Sequence, residues 1–191
     1  MLYIEISEGL MEEVTKVKTE KISIFLGALV IVLLAFLIIW QVGIFGVSQS
    51  RIEQDARESQ KISSDWEVAQ DANEDICALL FYNEDKDEYT YSVYLTRDGI
   101  SFGYFFREGG SGYPYIEDGV QGIIYEDKGI ALLSLNEDKV NKIVIDNNVT
   151  EETIMVDPLK PFAVVLPVNC GEITMYDSMG NIVSLYDTYK G

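Results

Sequence analysis

The sequence predicts a membrane-anchored all-β protein: one transmembrane helix, a helical stalk, then an antiparallel β-sandwich of about ten short strands. Three observations carry this. No charged residue occurs from Ile22 to Gly46; residues 47–75 are polar and contain neither Pro nor Gly; and from Cys77 onward apolar residues recur with a period of two. The chain has 191 residues and a formal net charge of −18, from 14 Lys and Arg against 32 Asp and Glu, with no histidine. That balance excludes a nucleic-acid partner. Lack of histidine excludes Ser-His-Asp and Cys-His catalysis and His-ligated zinc.

The first 21 residues are expected to be a cytoplasmic tail, too short for a folded domain. Residues 22–46 follow as a signal-anchor helix. At about 1.5 Å per residue, 25 residues reach roughly 37 Å, enough to cross a ~30 Å hydrocarbon core with some tilt. Trp40 suits the headgroup level at the outgoing end. The run is longer than the ~7–15 apolar residues of a cleaved signal peptide. Lys16, Lys18 and Lys21 crowd its N-terminal flank, so the N-terminus is expected inside and the bulk of the chain extracytoplasmic.

Residues 47–75 are expected to continue as a stalk. Ile52, Ala56, Ser59, Ile62, Trp66 and Ala69 make a thin apolar stripe at helical spacing, and serine at seam positions argues against a coiled coil. The β-domain then occupies 76–191. Strands are predicted at Cys77–Asn83, Tyr89–Thr96, Ser101–Arg107, Gln121–Tyr125, Ile130–Asn136, Lys142–Asp146, Thr153–Val156, Phe162–Leu166, Ile173–Tyr176 and Ile182–Tyr186. Arg97-Asp-Gly, Glu126-Asp-Lys-Gly, Asp157-Pro-Leu-Lys-Pro and Ser178-Met-Gly-Asn punctuate them as turns. The apolar stretch Phe162–Leu166 is expected to be buried on both faces.

Gly171-Glu-Ile-Thr-Met-Tyr-Asp-Ser-Met-Gly-Asn-Ile-Val183 resembles the close of immunoglobulin-like modules attached to bacterial surface proteins. The likeness covers Val140 to Asp187 and implies an Ig-like sandwich, with no activity attached. An apolar helix followed by a stalk and a β-domain is also the layout of pilins. The chain lacks their Gly-ending basic leader and the Glu five residues into the apolar run.

Asp71, Asn73 and Asp75 match the first three ligand positions of an EF-hand loop, but Ile76 and Tyr82 stand where that loop needs Gly and Glu. No metal site, cofactor or catalytic residue is assigned. Cys77 and Cys170 leave two alternatives, a disulfide closing a long loop or two free thiols. The segment 101–115 is dense in aromatics and glycine without the Lys-Ser/Thr of a P-loop. Tyr104, Phe106, Tyr113 and Tyr115, with Arg107 and Glu108 as polar handles, could frame a binding surface; the competing reading makes Phe102, Tyr104 and Phe106 one buried strand face.

The function expected from the sequence is therefore a non-enzymatic interaction or accessory module of a bacterial cell envelope, binding another envelope protein or a cell-wall component. A pilin-like assembly subunit and a carboxylate-dependent cell-wall hydrolase are the alternatives.

Overall fold

Five consecutive residues, Phe162-Ala-Val-Val-Leu166, are buried, and in a strand neighbouring side chains point to opposite faces. A strand of this kind needs a layer on each side. In the computed structural model, which describes residues 24–38, 43–111, 116 and 119–191, that requirement is met by three stacked four-stranded sheets.

The chain divides at Ile44/Phe45 into two units. In the first, helix α1 covers 24–38, and its large apolar side chains are exposed, from 46% at Leu29 to 73% at Ile24. Among the described residues no helix is long and apolar enough to cross a membrane. The 15 residues of α1 reach about 22 Å. The tail 1–21 and positions 22, 23 and 39–42 of the expected span lie outside the described residues. The end of that span is not helical. Gly43 takes a φ of +64°, and Phe45 and Val47 form β-bridges with Phe102 and Tyr104. A side chain at Gly46 would put its Cβ 2.4 Å from the Tyr104 carbonyl oxygen, so this close backbone approach requires glycine.

In the second unit, strands β1 (Glu67–Ala72), β2 (Ile76–Tyr82), β3 (Tyr89–Leu95) and β4 (Phe105–Gly110) make the first sheet, an antiparallel meander. The chain enters the central sheet with β5 (Val120–Tyr125) and β6 (Gly129–Ser134), then the third sheet with β7 (Val140–Asp146) and β8 (Glu151–Met155). Strand β9 (Phe162–Pro167) returns to the central sheet, β10 (Glu172–Asp177) and β11 (Ile182–Val183) complete the third, and β12 (Leu185–Lys190) closes the central one. The central order is β12-β5-β6-β9 and the third is β11-β10-β7-β8.

This is the mostly-β architecture the sequence predicts, with three departures. Twelve strands occur among the described residues, they form three sheets, and β12 pairs with β5 in parallel. A final strand that returns to the central sheet from the third cannot reach β5 by a hairpin, which frees it from antiparallel pairing.

Adjacent residues divide between cores. Leu80, Val93, Ile123, Leu133 and Val165 fill the space between the first and central sheets. Leu132, Val164 and Leu166 turn the other way, onto Ile143, Ile145 and Met175 of the third. The outer face of the first sheet, Cys77, Leu79, Phe81 and Tyr94, is covered by Ile52 and Ala56.

Those last two residues correct the stalk. Only Ile52–Gln60 is α-helical (α2), after a 3-10 turn at Gln49–Arg51, and it ends at Lys61 in the left-handed region. Its stripe packs on a sheet. A helix of nine residues is marginal alone and takes its stability from that face. Gln60 fastens its end: Nε2 donates to Ser92 Oγ at 2.5 Å, and Oε1 accepts from Thr90 Oγ1 at 3.0 Å. Arg57 lies over the Phe81 ring and donates to the Ser63 and Trp66 carbonyls, turning the chain into β1. Residues 67–72 then pair with β2, where ladder hydrogen bonds override helix propensity.

Leu132 tests the doubly covered sheet. Leu132→Ala is expected to lower stability by about 2–5 kcal/mol in denaturant unfolding, whereas Val149→Ala, at an 88% exposed turn position, changes it by less than about 0.5 kcal/mol.

Candidate functional site

The β3–β4 connection, 96–104, starts the site. Gly103 has a φ of +85°, and a Cβ there would lie 2.6 Å from the Val47 carbonyl oxygen, so only glycine lets the loop close on residues 45–47. Beyond it, β4 carries a bulge. Val93 faces Glu108 and Tyr94 faces Phe106, which leaves Arg107 unpaired in the ladder. Such an insertion re-aims the side chains around it. Arg107 points to solvent and Glu108 turns inward.

Opposite β4 stand the β5–β6 turn and the end of β12. Between them lies a cleft of about 610 Å³, lined by Arg97, Arg107, Lys128 and Lys190, by Asp98, Glu126 and Asp127, and by Phe105 and Phe106. Four of the chain's 14 Lys and Arg thus gather at one opening of a protein with net charge −18. Their roles differ. Lys128 bridges Asp98 at 2.6 Å and Asp75 at 3.5 Å, and the Asp98 hydrogen bond raises its pKa. Lys190 pairs with Glu126, which raises the lysine and lowers the carboxyl. Arg97 lies 3.8 Å over the centroid of the Phe105 ring. Among the described residues Arg107 has no ion-pair partner.

Behind the bulge, Glu108 is held by phenols. Tyr125 donates to one carboxylate oxygen at 2.5 Å, and Tyr189 approaches the other at 3.4 Å. Tyr91 and Tyr189 share a hydrogen bond at 3.1 Å. Burial and then the Glu108 hydrogen bond raise the Tyr125 pKa; burial and the Tyr91 hydrogen bond raise that of Tyr189. The phenols stay protonated and supply the donors that Glu108 needs where water is scarce.

Of the residues expected at a binding surface, the cleft brings together Phe106 and Arg107. Phe106 is 51% exposed, its ring edge-on to Tyr94. Tyr104 is a correction: it is buried against α2's partners and donates its hydroxyl proton to the Asn73 carbonyl, because Gly103 turns it beneath the loop. Tyr113 and Tyr115 lie outside the described residues. Arg97, Lys128 and Lys190 join from distant positions; the scarcity of cations was the available signal.

The acidic positions of the EF-hand-like stretch have other partners. Asp71 Oδ2 accepts the Val165 N–H at 2.9 Å on the open edge of β9. Asn73 Oδ1 accepts the Asp75 and Ile76 N–H groups, turning β1 into β2, and Asp75 accepts from Thr96 and Lys128. Of the two alternatives for the cysteines, the structure has free thiols, so no disulfide links Cys77 and Cys170. Cys77 is buried beneath α2, and Cys170 packs against the core between the central and third sheets. Burial, then the charge of Asp71, pushes the Cys77 pKa up to about 12.

No family model, characterised protein or solved structure matches this chain.

Two titrations test this arrangement. Burial also raises Tyr82 to about 12, and raises Tyr94 and Tyr104. A phenol whose folded pKa exceeds its unfolded value of ~10 contributes stability that is complete below pH ~10 and lost as pH rises through the folded value. Stability is therefore expected to fall above pH ~10, with the tyrosinate absorbance of these residues appearing together with unfolding. Cys77 is expected to resist a thiol reagent at neutral pH until the protein is denatured, while Cys170 reacts first, and denaturation without reductant yields two thiols per chain.

Proposed function

We propose that this is a single-pass membrane protein whose β-unit is a non-enzymatic recognition module on the extracytoplasmic side of a bacterial envelope, with the cleft as its binding site. The observation that carries the reading is Arg107: an exposed guanidinium, lifted out of its ladder by a bulge, beside Phe105 and Phe106. An arginine so placed suits a carboxylate or phosphate, which its fork can hold by two hydrogen bonds, and the phenylalanines suit an apolar neighbour.

Charge narrows the partner further. Three of the 14 basic and five of the 32 acidic residues precede residue 47, so the remainder carries 11 against 27, a net of −16. At long range that field attracts basic partners and repels anionic ones. At contact, Arg107 selects an acidic group within such a partner. A segment of another envelope protein, or the peptide portion of a cell-wall polymer, has this chemistry.

Support for the anchor comes from the uncharged run 22–46 and from α1, whose apolar side chains are exposed around the helix. Lys16, Lys18 and Lys21 support the orientation.

A photo-crosslinking residue in place of Phe106, in the full chain in its own membranes, tests the site. A discrete adduct is expected from position 106 and none from Val149, and Arg107→Ala is expected to weaken it about ten- to a hundredfold, the loss of a charge-assisted hydrogen bond. An adduct unchanged by Arg107→Ala, or equally strong from position 149, overturns the assignment.

A further inference from the structure

The last two residues of the uncharged run, Phe45 and Gly46, belong to the β-unit. Gly46 donates its N–H to the Phe102 carbonyl at 2.7 Å, and Val47 and Tyr104 exchange N–H···O bonds of 2.7 and 2.8 Å. The Phe45 and Phe102 rings stack at 5.8 Å. Neither ring is covered: they are 67% and 61% exposed, and Ile100 in the same loop is 82% exposed. Beside them is Arg97, exposed and seated on Phe105, the ring that flanks Gly46. Three large apolar side chains and one arginine thus meet water together at the entry of the chain.

We propose that this face lies in the interfacial layer of the bilayer, with Phe45, Ile100 and Phe102 among the upper acyl chains and Arg97 at the lipid phosphates. The inference rests on the anchored reading above. Chain continuity selects the occupant. Phe45 follows Ile44 directly in the chain, so if the bilayer holds the run through Ile44, the next residue of the chain is Phe45 itself. Residues 45–47 hold the 96–104 loop at that point by backbone hydrogen bonds. Phenylalanine and isoleucine suit the acyl side of the headgroup boundary, and an arginine can snorkel its guanidinium to the phosphates.

The test uses the full chain in vesicles of phosphatidylethanolamine and phosphatidylglycerol. Spin labels are attached after Phe102→Cys, Ile100→Cys or Val149→Cys in a Cys170→Ser background. Ile100 serves as the second position because its side chain is 82% exposed and its replacement removes little packing. Labels at 100 and 102 are expected to collide several-fold less with a water-soluble nickel chelate than the label at 149, and more with oxygen dissolved in the bilayer. If the chain floats with vesicles after an alkaline wash but the three labels meet the chelate equally, the docking is overturned and the anchor stands. Shielding from both chelate and oxygen indicates a protein neighbour, which also overturns it. Loss of the chain from vesicles in the wash removes the anchored reading and this inference with it.

Discussion

A sheet that is apolar on both faces cannot leave either in water, and this requirement falls on β6 and β9. Leu132 and Leu133 are neighbours in sequence and belong to different cores, as do Val164 and Val165. Covering both sides forces the chain to alternate, laying down the first sheet, crossing the centre, building the third and returning twice. The open edge of β9 is managed by Asp71, whose carboxylate takes the Val165 N–H and joins the first sheet to the central one. The β5–β6 turn and the end of β12 are carried by the same central sheet, and so is the wall of the cleft that faces β4.

Function in the proposed reading depends on one extra residue. Without the bulge, Arg107 would take a place in the ladder opposite a β3 residue, as its neighbours Phe106 and Glu108 do. With it, Glu108 is opposite Val93 and meets Tyr125 and Tyr189, while Arg107 stands free of the pairing. The two charges are separated. A carboxylate held by phenols is not available to neutralise the guanidinium, and Lys128 and Lys190 have carboxylates of their own. Among the described residues Arg107 therefore has no carboxylate paired to it, in a chain where acids outnumber bases.

The strands were legible because their signal is local. Short apolar or alternating runs bounded by turns such as Arg97-Asp-Gly and Glu126-Asp-Lys-Gly locate β2, β3, β5, β6 and β9 within a residue or two. The segment 47–75 misled for an equally physical reason. Its composition is compatible with helix throughout, and only an open edge on β2 makes 67–72 a strand. That edge exists in the fold and not in the segment. The bulge at Arg107 was hidden similarly, since it follows from how β4 meets β3. One reading of the sequence put Tyr104 and Phe106 on a single buried face and the other put both at a binding surface; the turn at Gly103 and the bulge place Tyr104 in the core and Phe106 at the cleft.

The missing stalk changes what the β-unit can do. A polar helix of 29 residues over 47–75 would hold a binding site some 43 Å from its attachment point, at about 1.5 Å per residue. Here the same residues lie folded on the first sheet, and Phe45 is already bridged to Phe102. In the proposed reading this makes the site close-range: a partner must itself be at the membrane or come to it. The cleft and the exposed Phe45–Phe102 pair also share a segment, because Arg97 and Phe105 line one and adjoin the other. In the proposed reading the lipid surface and the cleft therefore meet on one segment, so a partner at the cleft also lies beside the residues that the bilayer would hold.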